Sequence, residues 1–135
     1  MFVQRVLVPR VGGESWTVLG EDGAPVAVIE RFLANLTDIE RSPNTVKAYA
    51  HDLKDFFVFL GGRELAWDGV GLEQLGEYVA WLRLPPAARD GLVAVLPSAP
   101  VHLTASSVNR KLAALSAFYQ HAARNGADIG DLRVT

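Results

Sequence analysis

The sequence predicts a mainly α-helical domain that carries a short β-hairpin at its N-terminus. Three observations carry this. Apolar residues recur at three- and four-residue spacing through most of the chain beyond Pro25. Two of the helical stretches open on a hydroxyl residue placed to cap them, Ser42 and Thr104. The start of the chain differs: Phe2–Val8 and Ser15–Leu19 are β-branched and aromatic with partial alternation, and Pro9 and Gly12-Gly13 separate them.

A two-stranded hairpin is marginal alone, so this one must pack on the helices, pair with a partner or stay loosely ordered. Gly20-Glu21-Asp22-Gly23 reads as a turn. The first helix is expected from about Pro25 to Asp38, with Val26, Ile29, Phe32, Leu33 and Leu36 at helical spacing. In the second, the Ser42 hydroxyl can accept a free backbone N–H, and Pro43 suits a first helical position, where its missing N–H costs nothing. Asn44 or Thr45 could cap instead. Val46, Tyr49, Ala50, Leu53, Phe56, Phe57 and Leu60 form one apolar face, and Gly61-Gly62 is the expected stop. The third helix spans about Leu72 to Arg83, with Leu72, Leu75, Val79 and Leu82 as its core stripe and Tyr78 and Trp81 flanking. Leu84 to Val101 holds four prolines and reads as a long loop. The last helix buries Val108, Leu112, Leu115, Phe118, Tyr119 and Ala122, and Asn125-Gly126 stops it. The expected organisation is a hairpin extension over 1–22, a helical domain over 23–126 and the start of a linker over 127–135.

The 135 residues amount to one domain, and the 50% apolar and 21% charged composition is globular. No apolar run approaches the roughly 20 residues of a membrane span, so no membrane partner is expected. The N-terminus lacks the basic start and apolar core of a signal peptide. With no cysteine, disulfides and thiolate metal sites are excluded, and the cytoplasm is the default compartment. The net charge is −2, against the basic excess usual in nucleic-acid binders. Its distribution is uneven. Residues 41–63 carry four basic and two acidic groups and 103–135 carry the same, whereas 1–40 and 64–102 are each net −3. Local field governs where a phosphate backbone is attracted.

The outward faces of the second and last helices fall in those basic segments. Asn44, Lys47, Ala48, His51, Lys54 and Val58 lie opposite one apolar stripe. Ser107, Arg110, Lys111, Ala114, Ala117, His121 and Arg124 lie opposite the other. Small residues let a helix backbone approach a groove, cations reach phosphates, and helix N-termini suit a phosphate oxygen. By composition and periodicity alone, such faces also read as ordinary solvated surface.

Ser42-Pro43-Asn44-Thr45-Val46-Lys47-Ala48-Tyr49, then Asp52-Leu53 and Phe56-Phe57-Val58-Phe59-Leu60, resembles the second helix of the core-binding domain of tyrosine recombinases (phage integrases). Ser107-Val108-Asn109-Arg110-Lys111-Leu112-Ala113-Ala114-Leu115, followed by Phe118-Tyr119, resembles its fourth helix. The likeness covers about residues 25–126 and leaves out the hairpin. It implies a SAM-like, four- to five-helix orthogonal bundle forming half of a C-shaped clamp, closed by a separate catalytic domain. It implies that the second and fourth helices cross in the major groove of a recombination half-site, and that partners are double-stranded DNA and other recombinase protomers in a synaptic complex. Carried over by motif, Asn44, Thr45 and Lys47 match contacting positions of the second helix, and Ser106, Ser107, Asn109 and Arg110 those of the fourth. Helical geometry adds His51, Lys54 and Lys111.

In that family a tyrosine nucleophile cleaves DNA with help from arginines, a lysine and histidines. Here Tyr49 and Tyr119 fall on apolar stripes and Tyr78 beside one, so core packing is expected of each. No histidine-x-x-arginine box is present. The chain is therefore expected not to be an enzyme by itself, while its parent protein would be a site-specific recombinase. His51, His102 and His121 have no partner at ligand spacing, so neither metal nor cofactor is expected. A helical protein–protein oligomerisation module is the competing reading, with the hairpin adding a strand to a partner.

Overall fold

The structure, a computed structural model, describes residues 1–8, 13–39, 41–85, 89 and 103–126. It consists of β1 (Phe2–Val8), β2 (Gly13–Leu19), α1 (Ala27–Asp38), α2 (Pro43–Gly62), a short 3-10 turn at Trp67–Gly69, α3 (Leu72–Arg83) and α4 (Ala105–Arg124). This is the mainly helical bundle with an N-terminal hairpin that the sequence predicts. Most of the proline-bearing loop expected over 84–101, with His102 beside it, lies outside the described residues, as does 127–135.

β1 and β2 pair antiparallel, Phe2 opposite Leu19 and Arg5 opposite Trp16. The hairpin packs on the helices. Val18 is fully buried, and its carbonyl accepts the Val26 N–H at 3.0 Å, so the strand is tied to the entry of α1. Val26 flanks α1 rather than lying within it. From the side of α1, Ile29, Phe32, Leu33 and Leu36 enter the core.

α2 starts as expected: the Ser42 hydroxyl accepts the Thr45 N–H at 3.2 Å, with Pro43 at the first helical position. It buries Val46, Ala50, Leu53, Phe56, Phe59 and Leu60. Phe59 takes the place expected of the half-buried Phe57. The stop differs from expectation. Gly61 and Gly62 belong to the last turn of α2, and the left-handed residue is Glu64, at φ 55°. The Leu65 N–H bonds the Leu60 carbonyl at 3.0 Å and the Glu64 N–H bonds Gly61 at 3.3 Å, the paired closure of a Schellman end. What fixes the exit is the packing of half-buried Leu65 against the core, three residues past Gly62. A β-carbon in that region is strained, so Glu64→Gly is expected to raise stability by about 0.5–1 kcal/mol, read as a higher urea midpoint at unchanged slope. At the end of α4 the expected residue does the job: Gly126 sits at φ 91°.

α3 is rotated relative to the expected stripe. Tyr78 and Leu82 are buried, whereas Leu72 is 70% exposed because it begins the helix, before the core. The Arg89 side chain donates to the carbonyls of Trp81, Leu82 and Leu84, satisfying the end of α3, and its guanidinium lies 4.5 Å from the Trp81 ring centroid. Edge-to-face aromatic pairs knit the helices: Phe56 with Tyr78 at 5.1 Å between centroids, Phe32 with Phe118 at 5.7 Å, and Phe57 with Phe118 at 5.9 Å.

Candidate nucleic-acid interface

α2 and α4 start alike. In α4 the Thr104 hydroxyl accepts the Ser107 N–H at 3.2 Å, as Ser42 does for Thr45 in α2. Thr45 and Ser107 thus occupy equivalent positions, each with its hydroxyl within hydrogen-bond reach of the capping hydroxyl. The first-turn amides that no helical carbonyl can reach point outward from both ends, with Asn44 and Ser106 exposed beside them.

A shallow groove runs between the two helices. Asn44, Thr45, Ala48, Tyr49 and Asp52 line it from α2, and Arg110, Ala113 and Ala114 from α4. Of the residues expected to contact DNA, the groove therefore gathers Asn44, Thr45 and Arg110. The alanines keep its walls low, which is the steric condition for a bulky ligand to approach the backbone of both helices.

The remaining expected residues lie outside the groove. Ser106 and Asn109 are exposed and Ser107 half-buried in the first turns of α4. Lys47, His51 and Lys54 succeed one another along α2 at helical spacing, with Lys47 and His51 exposed and Lys54 half-buried. The imidazole of His51 is held below its ordinary pKa, first by partial burial and then by the cations of Lys54 and Lys47, with Asp55 and Asp52 opposing. Lys47 turns toward the hairpin, its ammonium 4.7 Å from the centroid of the Trp16 ring. The hairpin thus flanks the cationic stripe of α2 and leaves Lys47 exposed.

One placement corrects the sequence reading. Lys111 does not lie on the outward face of α4. It is 7% exposed, and its ammonium donates to Asp52 Oδ1 at 3.1 Å and to Asp55 Oδ2 at 2.8 Å. The period contains the reason: Lys111 stands three residues after Val108 and four before Leu115, both buried. Ala114 is buried on the same side, and His121 is half-buried, its ring edge-on to Phe32 at 5.5 Å. Arg110 is exposed but not unpartnered, since its Nη1 donates to Asp52 Oδ2 at 2.9 Å. The sequence reading missed Asp52 and Asp55 as the acidic half of this cluster. The available signal was Asp52 beside Leu53 on an apolar face, where a carboxylate needs a cationic partner.

The three tyrosines are packing residues. Tyr78 and Tyr119 are buried, and desolvation raises both phenols well above the ordinary range. Tyr49 is half-buried and edge-on to Phe32 at 5.6 Å. Among the described residues, no group of three or more His, Cys, Asp or Glu side chains could hold a metal ion, and no helix is long and apolar enough to cross a membrane.

The family model of the phage integrase N-terminal SAM-like domain matches residues 29–126. The chain belongs to that family. The match takes in all the helices except Ala27 and Val28 at the start of α1, and it leaves out the hairpin. Transposase A from transposon Tn554 of Staphylococcus aureus strain Mu50 / ATCC 700699 is 29% identical over 126 residues, or 93% of this chain, and that of strain N315 aligns equally well. This integrase-family chain spans 34% of the length of those curated relatives. No solved structure matches it.

Proposed function

We propose that this chain is the duplex-binding half-clamp of a site-specific tyrosine recombinase, with α2 and α4 presented to the major groove of a recombination half-site. The observation that carries the reading is the groove shared by Asn44, Thr45 and Ala48 of α2 and Arg110 and Ala113 of α4. It places polar and cationic groups from both helices on one surface with low walls. A major groove about 12 Å wide admits a helix, and direct readout needs only a few side chains aimed at base edges. Lys47 and Lys54 stand outside the groove on α2 and supply charge for the phosphates, joined by His51 once it is protonated. Asn44, Ser106, Ser107 and Asn109, with the first-turn amides, supply hydrogen bonds to phosphate oxygens that set register. Lys111 belongs to the frame of this surface rather than to its contacts.

In this reading residues 23–126 are the DNA-binding unit, 1–22 an extension buttressing α2, and 127–135 the approach to a catalytic domain. The cleaving tyrosine and its electrophilic partners belong to that domain, and other protomers of the recombinase are the protein partners. The family match and the relatives named as transposases support this assignment.

An electrophoretic shift at low salt with heparin competition tests it. The chain is expected to shift duplex DNA weakly, with affinity falling steeply and log-linearly with salt. Lys47→Ala is expected to weaken every duplex alike and to flatten the salt slope by about one phosphate's worth. A chain that self-associates yet ignores duplex at low salt contradicts the proposal and favours an oligomerisation module.

A further inference from the structure

We propose that Asp52 is a positioning residue for sequence readout: it holds Arg110 as a base-reading side chain and withdraws that arginine from phosphate neutralisation. The inference rests on the duplex-binding reading above.

Asp52 sits on α2 with its side chain only 4% exposed. Each of its oxygens takes a different residue of α4: Oδ2 accepts from Arg110 at 2.9 Å and Oδ1 from Lys111 at 3.1 Å. Asp55 takes Lys111 from the other side at 2.8 Å. Two cations and two carboxylates thus meet at the junction of the helices, and their formal charges cancel. The salt-dependent part of DNA affinity comes from cations that displace counterions from phosphates. A cluster that is already neutral has little of that to give. The cations with more to give are Lys47, His51 when protonated, and Lys54, along the adjoining stripe. Of these, Lys54 is 3.7 Å from Asp55 and so only loosely compensated.

Arg110 retains what base reading requires. Its side chain is 55% exposed and lines the groove beside Ala113 and opposite Ala48. One nitrogen is tethered to a buried carboxylate, so the remaining donors of its planar fork are presented in a restricted orientation. Recognition of guanine O6 and N7 depends on where two donors point, not on the net charge behind them. A phosphate contact, by contrast, gains nothing from a carboxylate behind the guanidinium.

The test uses the 135-residue chain. A duplex is enriched from a pool of randomised base pairs by the wild-type chain. Affinity for it and for a scrambled duplex of equal composition is then measured across a salt series. Arg110→Ala is expected to reduce discrimination between the two roughly tenfold while leaving the salt slope unchanged. Asp52→Asn is expected to cause the same loss with affinity for the scrambled duplex equal or higher, because a negative charge has gone. The double variant is expected to discriminate no worse than either single one, since Asp52 acts through Arg110. A merely structural role would lower both affinities in parallel and add to Arg110→Ala. Should circular dichroism show Asp52→Asn unfolded, Asp52→Asn combined with Lys111→Met removes the stranded buried cation and is read identically. Undiminished discrimination in Asp52→Asn, or a salt slope lowered by about one in Arg110→Ala, overturns the inference alone. A wild-type chain that binds every duplex alike overturns the inference alone, whereas one that binds no duplex even at low salt overturns the duplex-binding reading and the inference with it.

Discussion

Phe56→Ala is expected to remove about 4 kcal/mol of stability. Phe56 is fully buried in the middle of α2. Its ring meets Tyr78 of α3 at 5.1 Å and Tyr119 of α4 at 6.2 Å between centroids, both edge-on. Truncation therefore forfeits the transfer free energy of a benzyl group, opens a cavity beside two large rings and removes three aromatic pairings together, the third with Phe57 at 6.1 Å. Those rings cannot collapse inward easily. Tyr119 is anchored by its hydroxyl to the Trp67 carbonyl, and Tyr78 is also held against Phe59 at 5.2 Å. Urea unfolding followed by far-ultraviolet circular dichroism checks the figure, with Val58→Ala, at an exposed site of the same helix, expected within about 0.5 kcal/mol of wild type. A loss below about 2 kcal/mol for Phe56→Ala would mean that the three helices do not converge on this ring. Because Phe56 joins the two helices of the groove, the same variant is also expected to lose duplex affinity in proportion to its unfolded fraction.

Asp52→Ala is expected to cost about 3 kcal/mol, by a different physical route. The side chain is buried and accepts from two cations of α4. Its removal leaves the Lys111 ammonium, on a buried side chain, with Asp55 alone. Stranding a buried charge costs more than the pair itself contributes, because both ions have already given up their hydration. The double variant Asp52→Leu/Lys111→Met, which replaces the buried pair by apolar groups, is accordingly expected to lie within about 1 kcal/mol of wild type. If the single variant loses less than about 1 kcal/mol, water reaches the cluster and the two helices are not pinned there. Denaturant midpoints of the three proteins decide between these outcomes.

The sequence made the helices, their order and their caps legible because those features are local. Ser42, Pro43 and Thr104 act within one turn of the residues they serve, and the apolar spacing needs no knowledge of a partner. The rotation of α3 was not legible, because Leu72 and Tyr78 are both apolar enough for a core position and only the position of the core decides which faces inward. The end of α2 was misread for a similar reason: the glycines mark where a helix could stop, while the packing of Leu65 determines where it does. At the candidate site, three residues expected from the sequence to contact DNA, Asn44, Thr45 and Arg110, line one groove, while Lys111, expected on the outer face, is buried. Helical phase put Lys111 on the buried face, and its charge argued against that phase. The conflict resolves only through Asp52 and Asp55, more than fifty residues away in the chain, whose pairing no local pattern reveals.

The central claim is that the groove between α2 and α4, with the cationic stripe beside it, faces a DNA duplex. Titration of duplex DNA into the isotopically labelled chain, followed by amide chemical shifts, tests it most directly. The account predicts that the largest changes fall on Asn44, Thr45, Lys47, Ala48, His51, Ser106, Asn109, Arg110 and Ala113, with Glu73 and Glu77 of α3 unmoved. Changes confined to α3 or to β1, with the start of α2 and Arg110 silent, would contradict it.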